Sequence, residues 1–271
     1  MAEPQQGTYP DALDAGVEPA GRRAPAQPAR RLRFAAVGDI HCTAEMAGRL
    51  RGFFAQAAEA ADALLLCGDL TDYGLPEEAK VLADELAVVG VPIVAVLGNH
   101  DFESGRPDEV RRILADAAGV RVLDGEVAEI RGVGIAGAKG FCGGYGRGAL
   151  GSWGEPAIKV FVNEAIQEAL KLESALAKLR HTARRIALLH YSPIQATVEG
   201  EPVEIFPFLG TSRLEDPLLR HPVDAVVHGH AHRGQPEGRT VNGIAVYNVA
   251  KPLLERRFPE RPGFRVIELD A

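Results

Sequence analysis

Cysteine is scarce in this sequence and poorly placed for cross-linking. Cys42, Cys67 and Cys142 are far apart, odd in number and never in Cys-x-x-Cys spacing. That argues against a disulfide framework and against a cysteine-built zinc site. Reduced thiols in a cytoplasmic protein are the expectation. Long apolar runs are missing too, since nothing approaches the roughly 20 residues needed to cross a bilayer. The longest stretch, from Leu86 to Leu97, contains Gly90 and Pro92 and reads as a helix end, a turn and a buried strand. No apolar core follows the N-terminal charges, so no secretory signal is expected. Positive charge is not in excess: the formal net charge is −7. A mildly acidic surface disfavours long polyanions, so nucleic acid is not an expected partner, and neither is a membrane.

What is present is enough chain for one sizeable core, with 271 residues and 46% hydrophobic content. Residues 1–30 stand apart. They are rich in Ala, Pro, Gly and Gln, lack periodicity, and read as a disordered, solvated tail with a basic end at Arg22, Arg23, Arg30, Arg31 and Arg33. A single domain over 31–271 is expected to follow.

Within it, short apolar strands alternate with helical stretches. Strands are predicted at Leu32 to Val37, Ala63 to Cys67 and Pro92 to Leu97. Helices follow them at about Ala44 to Ala60, Pro76 to Val89 and Pro107 to Ala117. Pro76 suits a first helical turn, and Glu77 and Glu78 suit its positive end. Such alternation predicts an α/β fold with helix-covered sheets. Short strands then fall at Val120 to Val122, Glu126 to Ile130 and Val133 to Ala136. A Gly-rich stretch runs from Gly140 to Gly154. A long amphipathic helix follows, with Val162, Ile166, Ala169, Leu172, Leu176 and Leu179 along one face. Strands at Ile186 to Leu189 and Ala225 to Val227 flank a short helix near Ser212 to Arg220. Thr240 to Val249 reads as a hairpin turning at Asn242-Gly243, and Phe264 to Leu269 as a last strand.

The chemistry sits just after the strands. Asp39 and His41 follow the first; Asp69 and Asp72 follow the second; Asn99, His100 and Asp101 follow the third. His190 follows the strand ending at Leu189, and His228, His230 and His232 follow Val227. In open α/β sheets, ligands bind at the carboxyl ends of strands, so these sequence-distant groups can converge on one rim. Asp, His and Asn offer oxygen and nitrogen to divalent ions, which favours manganese, iron or zinc over a closed thiolate site. Two such ions about 3.5–4 Å apart can stabilise both the attacking and the leaving oxygen of a phosphoryl transfer. A lone His such as His181 or His221 is assigned no site role.

The blocks Asp39-Ile40-His41, Gly68-Asp69-Leu70-Thr71-Asp72, Gly98-Asn99-His100-Asp101, His190 and Gly229-His230-Ala231-His232 resemble those of the calcineurin-like metallophosphoesterases. The resemblance spans roughly residues 32 to 250. It implies a four-layered α/β/β/α sandwich with two central mixed sheets and a dinuclear site at the strand ends. It also implies roles. Asp39, His41 and His232 would hold one metal; Asn99, His190 and His230 the other; Asp69 would bridge them. A hydroxide between the metals would attack phosphorus in line. His100 would serve the leaving oxygen, with Asp72 orienting it by a hydrogen bond.

The protein phosphatases of that superfamily continue Gly-Asp-x-x-Asp with Arg-Gly, whereas Tyr73-Gly74 stands here. The expected activity is therefore hydrolysis of a small soluble phosphoester, such as a nucleotide, by a phosphodiesterase. A phosphomonoesterase and a non-catalytic metal-binding scaffold are the alternatives. Lys139, Tyr145 and Arg147 are candidate substrate contacts in the Gly-rich segment, where backbone can approach phosphate and basic groups can grip an oxyanion. Cys42 and Cys67, beside His41 and Asp69, are expected to pack.

Overall fold

A computed structural model describes residues 1–2 and 31–270. The tail expected over residues 1–30 lies, apart from its first two residues, outside them. The chain forms two sheets. The first contains β1 (Arg31–Val37), β2 (Ala63–Cys67), β3 (Ile93–Val96), β4 (Arg121–Val122) and β11 (Arg265–Asp270), in the order β11-β1-β2-β3-β4. The second contains β5 (Glu126–Ile130), β6 (Val133–Gly137), β7 (Arg184–Leu188), β8 (Ala225–His228), β9 (Glu237–Arg239) and β10 (Ala245–Asn248), in the order β5-β6-β7-β8-β10-β9. Both are mixed: β1, β2 and β3 pair in parallel, as do β7 and β8, while β11, β5 and β9 pair antiparallel to their neighbours.

Period-two alternation builds the layers. In β2, Leu65 and Cys67 face the second sheet, where they join Phe34, Val96, Ile135, Ile186, Leu188 and Val227 in a dry interlayer. Leu64 and Leu66 face the other way, onto Phe54 of α1 (Arg51–Ala60), Leu82 of α2 (Pro76–Leu86) and Leu114 of α3 (Pro107–Ala118). Behind the second sheet, Ala187 and Val226 pack on Leu172 and Leu176 of α4 (Pro156–Lys178). Both faces of each sheet are thereby covered, as parallel strands require, and the architecture is the four-layered α/β/β/α sandwich.

Three local readings are corrected. The helix expected from Ala44 begins only at Arg51; a 3₁₀ turn at Ala44–Met46 and Gly48, at φ 79°, precede it. Ile166 is 37% exposed, whereas Ala165 and Glu168 of α4 are buried. Glu168 turns inward because it accepts a hydrogen bond from Gly140 N at 2.8 Å and from Lys171 Nζ at 2.7 Å. Helices at Phe206–Leu209 (α5) and Lys251–Arg257 (α7), absent from the sequence reading, accompany α6 (Glu215–Arg220). Among the described residues, no helix is long and apolar enough to cross a membrane. All three cysteines are free and buried.

Candidate metal centre

The parallel strands β1, β2, β3, β7 and β8 end on one rim, and the two sheets meet there. Main-chain bonds lock the turns together: Asp39 N donates to Gly68 O and His41 N to Asp69 O, both at 3.0 Å. Among the described residues, five non-glycine residues have positive φ, and four of them, Asp39, His41, Asp69 and His230, are candidate ligands. Left-handed backbone is unfavourable for side-chain-bearing residues and clusters at functional sites. Glycines beside these residues allow the close approach. A Cβ on Gly98 would stand 2.2 Å from Asp69 N, and one on Gly229 would stand 2.3 Å from Asp39 Oδ2.

Three groups of donors result; one, His41, Asp72 and His100, shares His41 with the first of the two sets that follow. Atoms of Asp39, His41 and His232 lie within 4.8 Å of one another, as do atoms of Asp69, His190 and His230. Asn99 joins the second set, its Oδ1 lying 2.9 Å from His190 Nε2. Asp69 lies between the sets, with Oδ1 3.3 Å from His190 Nε2 and Oδ2 3.9 Å from His41 Nε2. The structure thus brings together the residues that the sequence reading placed in two triads and a bridge.

The donor atoms fit divalent ions. His41 Nδ1 donates to Asp72 Oδ1 at 3.1 Å, and its Nε2 is buried without any hydrogen-bond partner. His190 Nδ1 donates to Cys67 O at 2.8 Å. That fixes the tautomer and turns the Nε2 lone pair toward Asn99 Oδ1 and Asp69 Oδ1, the side on which a cation would lie. His230 Nε2 donates to Phe208 O at 3.1 Å, which leaves Nδ1 as its lone-pair atom. Metal-binding imidazoles characteristically donate the second ring N–H in this way.

Electrostatics agree. Burial, reinforced by neighbouring imidazoles, lowers His41, pushes His190 well down and takes His230 to about 3. These shifts favour the neutral ring, the form a metal binds. Burial works against charge on His232 as well, but its hydrogen bond to Asp39 Oδ1 at 3.0 Å and the charge of that carboxylate raise it. Asp69 is pushed well up by burial and by the charges of Asp39 and Asp101. A carboxylate in that position favours a cation beside it.

His100 and Asp72 stand beside the first set. The rings of His100 and His41 are 4.5 Å apart. Asp72 meets His100 through its main-chain oxygen, which accepts from His100 Nδ1 at 2.6 Å. The Asp72 carboxylate faces His41, with Oδ1 3.1 Å from His41 Nδ1. Asp101 is buried and accepts from Gly98 N, Leu70 N, Thr71 N and Thr71 Oγ1, which ties the two motif loops together. His228 is packed between Gly229 O and Thr197 Oγ1, and burial lowers it to about 4. Asn248 donates to Ala231 O at 2.8 Å and so braces the loop that carries His230 and His232.

The Gly-rich segment divides. Tyr145 is buried among Val198, Leu209 and Ala231 and donates to Ser192 O at 3.4 Å. It packs behind the rim with only 8% of its surface exposed, which does not suit its expected role as a substrate contact. Arg147 is exposed on the 3₁₀ turn Gly146–Gly148. Lys139 is the member beside the centre. Its carbonyl accepts from His190 N, and its Nζ lies 5.0–5.4 Å from the rings of Phe102, Phe141 and Tyr191. Phe102 and Tyr191, which the sequence did not single out, flank His100 and His190. The Tyr191 ring lies 4.5 Å from that of His230.

Two central sheets with paired oxygen and nitrogen donor sets at adjoining strand ends define a class, the metal-dependent phosphoester hydrolases. The chain belongs to the calcineurin-like phosphoesterases, whose pattern matches residues 32–234. Members of this family depend on two metal ions. The chain is 29% identical over 233 residues to the UDP-2,3-diacylglucosamine hydrolase of Nitrosococcus oceani, covering 76% of this chain and 81% of that protein. The fold is similar to that of the phosphopantetheinyl hydrolase of Mycobacterium tuberculosis, with a TM-score of 0.62 at 16% identity over 86% of this chain and 95% of that one. It is also similar to GAP50, the anchor in the inner membrane complex of Plasmodium, with a TM-score of 0.50 at 15% identity over 82% and 72%. A hydrolase and an anchor share the fold, so the argument for chemistry rests on the donor atoms.

Proposed function

We propose that this protein is a phosphodiesterase acting on a small phosphoester of the nucleotide type. The observation that carries the hydrolytic part is the buried, unpartnered Nε2 of His41 facing Asp69. A polar atom stripped of water and partner is costly unless a ligand completes it. Asp39, His41 and His232 would hold one ion, Asn99, His190 and His230 the other, and Asp69 would bridge. Oxygen and imidazole donors suit manganese, iron or zinc. When bound, the ions supply Lewis-acid stabilisation of charge on the phosphoryl oxygens and make a water more acidic.

The protein's own groups do the rest. Asp72 fixes His41, while Cys67 O and Phe208 O fix His190 and His230. His100 Nδ1 is committed to the Asp72 carbonyl, so Nε2 is the atom that can carry a proton to the leaving oxygen. Lys139, held in its aromatic box, supplies positive charge for a non-bridging oxygen. Tyr73, rather than arginine, follows Asp72 and is 56% exposed. A monoester dianion calls for a guanidinium there; a diester carries one charge fewer. The Nitrosococcus relative is named for a nucleotide-linked, diacylated sugar, which supports a nucleotide-type ester. Three free, buried thiols favour a reducing, cytoplasmic setting.

The test is to compare bis-p-nitrophenyl phosphate with p-nitrophenyl phosphate on manganese-loaded protein. Higher kcat/KM on the diester supports the reading, and a preference for the monoester overturns the diester assignment.

A further inference from the structure

The carbonyl of Phe208 serves two donors. It accepts from His230 Nε2 at 3.1 Å and from Cys142 Sγ at 3.3 Å, and a carbonyl oxygen has a lone pair for each. The Cys142 sulfur in turn accepts from the Tyr191 hydroxyl. The Tyr191 ring lies 4.5 Å from that of His230 and 5.3 Å from that of His190. These contacts close a circuit that runs from His230 through the Phe208 carbonyl, Cys142 and Tyr191 back to His230. Cys142 and Tyr191 are buried and pack with Leu214 and Phe141, so little water competes for their polar atoms.

Main-chain bonds hold the same stretch in place. Gly143 N donates to Pro207 O at 2.7 Å and Gly144 N to Gly210 O at 2.8 Å, while Ser192 N donates to Leu209 O at 3.0 Å. Residues 207–210 are thus clasped by both the Gly-rich segment and the residues after His190. Gly210 has no room for a side chain there, since a Cβ would stand 2.0 Å from Ser192 O.

We propose that Cys142 and Tyr191 are positioning residues for the ion of Asn99, His190 and His230, holding the Phe208 carbonyl where it fixes the His230 ring. The inference rests on the metal-centre reading and goes beyond it, because neither side chain is itself a donor to an ion. An imidazole that gives one N–H to a fixed oxygen keeps its ring orientation, and its other nitrogen becomes more basic. A carbonyl free to move would give up part of both effects. The circuit serves one ion, because His41 and His232 are held elsewhere, by Asp72 and Asp39.

The test is calorimetric titration of metal-stripped protein with manganese, in which two binding steps are expected. His230→Ala identifies the step that depends on His230. Cys142→Ala should weaken that step and spare the other. Loss of an outer partner costs about 10–100-fold in affinity, and the lower end applies to a thiol that acts through a carbonyl. Cys142→Ser restores an O–H donor and should recover most of the loss. Tyr191→Phe keeps the ring on His230 and removes only the hydroxyl. It should weaken the same step and add little to Cys142→Ala in the double variant, as members of one network do. Unchanged affinity in both Cys142→Ala and Tyr191→Phe overturns the proposal. Equal weakening of both steps, or a serine that recovers nothing, also overturns it and reduces Cys142 to packing. If Cys142→Ala does not fold, Tyr191→Phe decides alone. Wild-type protein that binds no manganese overturns this inference together with the metal-centre reading. Two ions bound without cleavage of any ester overturn the hydrolase reading alone, and the binding steps still decide the positioning.

Discussion

Removing the Asp72 carboxylate separates two ways in which this residue can act. Its Oδ1 lies 3.1 Å from His41 Nδ1, and the pair is mostly shielded, with side-chain exposures of 20% for His41 and 27% for Asp72. His100 is held by the main-chain oxygen of the same residue, which Asp72→Ala leaves in place. The substitution therefore frees the His41 ring and lowers its basicity while His100 stays fixed. Loss of such an outer partner weakens metal binding by about 10–100-fold, or about 1.4–2.7 kcal/mol. Asp72→Asn keeps an acceptor oxygen without the charge and should fall between wild type and Asp72→Ala. Metal affinity is read by calorimetry and activity by titration with manganese. The expected result is a shifted metal requirement, with turnover close to wild type once metal saturates. Unchanged affinity with turnover still depressed at saturating metal would refute the argument and return Asp72 to His100.

Three further outcomes follow from the geometry. His100→Ala should keep both ions and slow turnover by about 10²–10⁴-fold, checked by elemental analysis beside a rate measurement. Gly98→Ala forces a Cβ to within 2.2 Å of Asp69 N and Oδ1 and 2.8 Å of His190 Cε1. It should destabilise the fold by about 1–3 kcal/mol and abolish metal uptake, whereas Gly52→Ala, with nothing within 4 Å, should do neither. Glu85 accepts from Gly48 N, Leu50 N and Arg51 N and so caps α1. Glu85→Gln, followed by thermal unfolding, should lose about 2–4 kcal/mol without altering metal affinity. Burial opposes the Glu85 charge, but the three N–H donors and Arg51 outweigh it and hold the carboxyl below its usual range. Its stabilisation is thus present above the ordinary glutamate range and lost as pH falls through the lower folded value. The variant should show a flatter acid limb.

The rim was legible because each candidate ligand follows directly on a run of buried aliphatics, and parallel strands deliver their carboxyl ends to one side. The glycines before Asp69, Asn99 and His230 were visible as motif letters; the steric reason, a Cβ that would strike the next ligand, needed three dimensions. Left-handed backbone at Asp39, His41 and His230 left no trace in sequence, since none is glycine. Asp72 was paired with His100 by the motif alone; that its main-chain oxygen meets His100 while its carboxylate meets His41 could be seen only in three dimensions. Tyr145 and Ile166 misled for related reasons. A tyrosine among glycines resembles a loop contact until its hydroxyl is found on Ser192 O. Helical spacing also could not foresee that Glu168 would turn inward to hold Gly140.

The central claim is a two-ion centre bridged by Asp69, and the direct measurement is metal content per chain with diester hydrolysis in wild type and Asp69→Ala. Metal-stripped protein reloaded with manganese should bind two ions and cleave bis-p-nitrophenyl phosphate, and Asp69→Ala should lose both ions and the activity while remaining folded. An Asp69→Ala protein that keeps two ions and turns over normally would contradict the account.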